Sequence, residues 1–199
     1  MESAGLKEWA IVCEAMGRGE QCVILRKGGL IEGREGFAFR YPDFFLVPTF
    51  FHEQLVKVRL IDQDLPKQRP SEIEIRFFAK LVVAKTIVSL ETALALEPMH
   101  VLQSSVVRDR FDYDGRSGLH VAFVRVFRLN PVWVLADLPR YGGCRSWVDL
   151  PERVIYPSLS DITVLPNSDL VVAGGTQGSY GEPFVARLVG GDGNNGPGV

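Results

Sequence analysis

The chain has 199 residues, 46% of them hydrophobic and 23% charged, and a formal net charge of −2. That composition describes a globular domain and excludes collagen-like, low-complexity and strongly charged classes. No apolar run reaches the ~18 residues of a membrane-spanning helix. The longest, Phe77–Val88, is broken by Lys80 and Lys85.

The opening MESAGLKEWA lacks the charge order of a signal peptide. With Cys13, Cys22 and Cys144 as an odd set of thiols, it points to a cytoplasmic protein with free cysteines and no membrane partner.

In chain order, Leu6, Trp9, Ala10, Cys13 and Met16 recur at helical spacing, which predicts a helix over 3–16 with Ser3 as its cap. Gly17 and Gly19 stop it. Cys22–Arg26 reads as a short buried strand broken at Lys27-Gly28-Gly29. Phe37–Arg40 and Phe44–Val47 read as strands either side of a Tyr41-Pro42-Asp43 turn, with Pro48 ending the second and a short helix after it.

Residues 62–71 form a polar loop. From Glu72 the alternation Glu-Ile-Glu-Ile-Arg-Phe opens a long β segment to Val88, either one bent strand or a hairpin. Helices are expected over Leu90–Leu96 and Gln103–Phe111, then strands over His120–Leu129 and Val132–Leu138 and a glycine loop, Tyr141–Trp147. Nine of the 20 glycines fall in residues 160–199, so that stretch reads as a partly disordered extension with two weak strands, Ile162–Leu165 and Leu170–Ala173. The expectation is one α+β domain over 1–159, with a mixed, curved sheet or small open barrel and about three flanking helices.

Two segments suggest a ligand site. Arg26 and Lys27 lead into Gly28 and Gly29, where backbone N–H groups and two cations suit a phosphate or carboxylate. A tight turn with solvated charges explains the same residues. Tyr141, Gly142, Gly143, Cys144, Arg145, Ser146 and Trp147 put aromatic rings beside a guanidinium, a set suited to a base or another planar ligand. The plainer alternative is a glycine turn whose rings plug the core.

A catalytic arrangement of Cys144 with His52 as base and Glu8 or Glu53 as orienting acid needs a meeting that sequence does not display. Glu72 with Glu74, or Asp62 with Asp64, near Lys80, fits Mg²⁺-dependent nuclease chemistry, although paired acids on a strand face are more commonly its solvated side. No C-x-x-C or H-x-x-x-H spacing indicates a metal site, and no cofactor motif is present.

Four blocks in order, Leu6-Lys-Glu-Trp-Ala10, Val23-Ile-Leu-Arg-Lys-Gly-Gly29, Phe45-Leu-Val-Pro-Thr49 with His52, and Tyr141-Gly-Gly-Cys-Arg-Ser-Trp-Val148, resemble a bacterial family catalogued as domain of unknown function 1802. The resemblance spans residues 6–150 and implies a bacterial, cytoplasmic protein but no activity. Its polar members, including Lys7, Glu8, Arg26 and Cys144, suggest one site at one edge of the sheet. The leading reading is a binding module for nucleic acid, a nucleotide or another anionic planar ligand. The alternatives are a thiol- or Mg²⁺-dependent enzyme and a structural or assembly protein.

Overall fold

The computed structural model describes residues 3–27, 37–60, 65, 67–69, 71–113, 115 and 117–153, and the backbone of 162–164, 170–174 and 184–188. The predicted first helix is two elements. Ser3–Trp9 is a strand, β1, and only Ala10–Gly17 is helical, α1. The helical spacing of the apolar residues arose because two consecutive buried elements placed them so. β1 lies between two strands, close enough that a Cβ on Gly5 would meet Val47 Cγ2 at 2.8 Å and Leu150 Cδ1 at 2.9 Å. α1 is buried on nearly every face, the pattern of a helix enclosed by its protein rather than amphipathic on its surface.

The remaining main elements are β2 (Val23–Arg26), β3 (Asp43–Thr49), β4 (Glu72–Ile87), α2 (Leu90–Ala95), α3 (Ser104–Asp112), β5 (Leu119–Ala136) and β6 (Trp147–Leu150). They form a mixed α+β fold whose sheet runs β2-β5-β4-β3-β1-β6, with β1 and β3 parallel and the other neighbours antiparallel. Short β7 (Ile162–Val164) adds to β5, while β8 (Leu170–Gly174) and β9 (Phe184–Leu188) pair with each other. The glycine-rich end, 189–199, and the Gly28-Gly29 turn lie outside the described residues.

The β segment from Glu72 is one long strand, not a hairpin, and the two strands expected over 120–138 are one. Register shifts fall between Ile75 and Phe77 and between Leu81 and Val83. Ile75 pairs with Trp133 and Phe77 with Arg128, so Pro131 sits in a bulge that asks no ladder bond of it. Pro48 likewise does not end β3, because pairing with β4 stops at Leu46. Phe37–Arg40, expected as a strand, lies outside the sheet.

The sheet is apolar on both sides. Leu6, Phe44, Leu46, Phe77 and Ala79 face α1 and the other helices, and Phe45, Val47, Ile75 and Phe78 form a second cluster on the opposite face. The sheet curls until its two ends approach. Phe37 bridges them: its ring lies 5.8 Å from His120 on β5 and 6.3 Å from Trp147 on β6, while Trp147 Nε1 donates to Ala38 O at 3.0 Å. This seam is closed by side chains rather than a β ladder.

Candidate functional site

The curl brings the ends of β1 and β2 together, although these strands are four places apart in the sheet. Successive side chains of β1 point to opposite sides, so Lys7 and Glu8 serve different neighbours. The Lys7 ammonium donates to the carbonyls of Tyr141, Gly142 and Gly143 at 3.3, 3.2 and 2.5 Å, and the Lys7 amide donates to Ser146 O at 2.8 Å. One residue therefore shapes the glycine loop. Gly143 takes φ +74°, a left-handed conformation that only glycine adopts without strain. Burial lowers the pKa of Lys7 from the ordinary lysine value; the nearby Cys144 sulfur opposes this shift and the Arg26 guanidinium adds to it. Arg26 and Cys144 thus flank the same ammonium.

Glu8 is buried. Its Oε1 accepts the Trp9 amide at 2.7 Å, and its Oε2 lies 3.4 Å from Arg26 Nη2. That contact is an ion pair without hydrogen-bond alignment. Among the described residues, the buried Nε and Nη2 of Arg26 have no hydrogen-bond acceptor. Arg110 reaches in from α3, donating to Leu25 O at 2.7 Å with its guanidinium 4.6 Å from the centre of the Trp9 ring. Burial pulls the Arg110 pKa down to about 10, with Glu8 opposing and Arg26 reinforcing the shift. Among the described residues, Arg26 and Arg110 both act on a single carboxylate, Glu8, which leaves a partly desolvated surplus of one positive charge.

The other predicted residues are placed as follows. Lys27 donates to Phe111 O at 2.8 Å and Gly118 O at 3.0 Å, tying the end of β2 to the end of α3. Tyr141 is buried, its hydroxyl accepts from Arg140 at 2.9 Å, and the Arg140 guanidinium lies 4.9 Å from its ring centre. Trp147 packs edge-on against Tyr41 and Phe44, at 4.9 and 5.3 Å. Both rings fill protein space rather than stand open to a ligand. Ser146 is buried, while Cys144 and Arg145 are exposed. His52 is exposed at the start of a 3-10 helix, His52–Lys57. Among the described residues no hydrogen bond joins it to Cys144.

The carboxylates near β4 have arginine partners. Glu74 accepts from Arg76 at 2.8 Å and pairs with Arg69 at 2.8 Å, and the Arg76 hydrogen bond holds its pKa below the usual carboxylate range. Glu72 is 3.6 Å from Arg69. Asp62 and Asp64 lie outside the described residues.

Sequence reasoning missed Arg110. It lies on α3, and its guanidinium crosses to the backbone of β2. His100 is also buried; its Nδ1 accepts the Leu102 amide at 3.2 Å, and among the described residues its Nε2 has no partner. Burial pulls its pKa to about 4, with Arg59 and Arg110 adding to the effect.

The fold is α+β, and Arg26 on β2 and Arg110 on α3 share the Glu8 carboxylate of β1. Residues 5–170 match the family described as Domain of unknown function (DUF1802), and the chain belongs to that family. No functionally curated protein matches it in sequence. Among solved structures, it is similar to the crystal structure of ASCH from Zymomonas mobilis, at 16% identity, covering 62% of this chain and 66% of that one, with a TM-score of 0.40. Two point variants of the same protein align comparably, with TM-scores of 0.41 and 0.39, identities of 16% and 15%, and coverage of 62% and 63% of this chain and 67% and 70% of theirs. No described helix is long and apolar enough to cross a membrane.

Proposed function

We propose that the protein is a binding module for a phosphate-bearing ligand, nucleic acid or a nucleotide, held where β1, β2 and α3 converge. The carrying observation is the excess of cations: Arg26 and Arg110 share Glu8, and two buried donors of Arg26 have no acceptor. An unpaired buried donor costs about 1–3 kcal/mol, which a bound anion recovers. Arg26 is the principal ligand group. Lys7 holds the glycine loop in place, and exposed Arg145 extends the positive surface at the mouth. Tyr141 and Trp147 set the wall rather than stack on a base.

Fluorescence anisotropy with single-stranded RNA and DNA tests this. Binding weakens steeply as salt rises, because released counterions oppose association. Arg26→Gln weakens it about tenfold or more, the loss expected for a charge-assisted contact. No detectable binding at low salt rejects the reading.

A further inference from the structure

We infer that the face of the sheet turned away from α1 carries a second site, where a free aromatic amino acid binds between Asp43 and Arg153. This site is separate from the anion site proposed above and does not depend on it.

The sheet builds the floor. Residues two apart on a strand share a face, and so do residues directly opposite in a ladder. Asp43 stands opposite Lys80 and Phe45 opposite Phe78, so a charged row lies beside an aromatic row. The Phe45 and Phe78 rings meet edge to face at 5.2 Å, and the Trp133 ring lies 4.8 Å from Phe45. Beyond β6 the chain lays Arg153 on these rings. Its amide donates to Ser3 Oγ at 3.0 Å, its Nη2 donates to Pro131 O at 3.2 Å, and its guanidinium lies 5.1 Å from the Trp133 ring centre. A cavity of about 310 Å³ opens here, lined by Ser3, Tyr41, Asp43 and Arg153 above the buried Phe45 and Phe78.

Size, floor and charge define the ligand. The volume is at the low end for ligand pockets, which span roughly 300–1,000 Å³, so it takes one small molecule. The rings underneath favour an aromatic body, which packs on them edge-on or offset. The charges then select among aromatic molecules. Among the described residues Asp43 has no hydrogen bond, and it makes no ion pair with Lys80 although the two are ladder neighbours. Arg153 has no carboxylate partner among the described residues, and one of its five N–H groups is used in a hydrogen bond. Burial lowers its pKa, as expected of a guanidinium drawn partly out of water without a countercharge. One unmatched acid and one unmatched base thus line a single aromatic-floored cavity. An aromatic anion gains from Arg153 but is opposed by Asp43, and an aromatic amine meets the reverse. An α-amino acid carries both signs and gives each side chain a charge-assisted partner.

Calorimetric titration of the full chain compares L-phenylalanine with 2-phenylethylamine, which lacks the carboxylate, 3-phenylpropionate, which lacks the ammonium, and L-alanine, which lacks the ring. Phenylalanine binds at least about tenfold more tightly than each of the others, the loss expected for one charge-assisted contact or one buried ring. Asp43→Asn removes the preference over 3-phenylpropionate and keeps that over 2-phenylethylamine; Arg153→Gln does the opposite. Equal wild-type affinity for phenylalanine and either single-charge analogue overturns the inference, and this comparison needs no variant. It is also overturned if phenylalanine, tyrosine and tryptophan all fail to bind at millimolar concentration, or if phenylalanine binding survives both substitutions unchanged. Single-stranded RNA binds Asp43→Asn as it binds the wild type and does not compete with phenylalanine, so failure of either site leaves the other standing. Competition between them overturns the separate site.

Discussion

Two charged clusters flank α1, and they are built from the same residue types to opposite effect. Beyond its C-terminal half, Glu14, Glu72 and Glu74 alternate with Arg69 and Arg76, and both arginines meet two carboxylates. At its N-terminal end, Arg26 and Arg110 have only Glu8 between them, and Arg26 leaves two donors unused. The first cluster has three carboxylates for two guanidiniums, so no cation is in surplus; its arginines are exposed, and it ties Arg69 to β4. The second is buried and unbalanced. Number of ion pairs does not separate a structural network from a ligand site; the separation lies in whether every donor already has its acceptor.

The sharpest way to break the contrast is to neutralise one carboxylate in each cluster. Glu8→Gln leaves the Arg26 guanidinium buried without its countercharge and is expected to cost about 3–5 kcal/mol in urea unfolding. A loss below about 1 kcal/mol would show that solvent or chain motion already satisfies Arg26 and that the site is not desolvated.

His100 is an acid-sensitive point beside the second cluster, chiefly because it is buried, with Arg59 and then Arg110 adding to the effect. Its pKa is about 4 in the folded protein and about 6.5 when unfolded. Between those values the unfolded chain takes up a proton that the folded chain refuses. Stability is therefore full above pH 6.5 and falls as pH drops toward 4, by up to about 3 kcal/mol. Melting curves at stepped pH measure this, and His100→Gln flattens the dependence. An unchanged slope in that variant would assign the acid sensitivity elsewhere.

Helix α1 links the two clusters, and Gly17 fixes where it lies. A Cβ at Gly17 would stand 2.1 Å from Phe77 Cζ. Gly17→Ala therefore displaces helix or ring at a cost of about 1–3 kcal/mol, and the shift is felt at both clusters. A variant as stable as wild type, by thermal denaturation, would mean the ring rotates aside freely.

The smallest effect is expected from Glu74→Gln. Its partners Arg76 and Arg69 are 40% and 63% exposed, so solvent screening limits the loss to at most about 1 kcal/mol, and 1 M salt removes most of it. A loss as large as that of Glu8→Gln would erase the distinction between the clusters.

Much of the sheet was legible in the residues. The Glu72–Phe77 alternation marks β4 because one face is wet and the other buried, and Val23–Arg26 reads as a strand from its β-branched run. The pattern failed where two buried elements abut: Leu6 and Trp9 belong to a strand and Ala10 to Met16 to a helix, and burial on all sides hides the period of each. Prolines also misled, since Pro48 and Pro131 break a strand only where a ladder bond is required of them. At the site, motif chemistry gave the expectation that Arg26 and the glycine loop share one edge of the sheet. The roles were less legible. Lys27 and Trp147 reach backbone carbonyls distant in sequence, and Arg110 enters from α3. Such roles depend on how the sheet curls, a long-range property that no local window contains.

The seam between the sheet's ends has a mechanical corollary. Among the described residues, Phe37, Trp147, one indole hydrogen bond and the Glu8–Arg26 ion pair fasten it, so it can part like a clasp while every strand stays zipped to its neighbour. In amide exchange, breathing along that line would expose the flanks of β2 and β6 well before the long β4–β5 pair yields, and the cationic site, which the two margins share, would widen with each such opening.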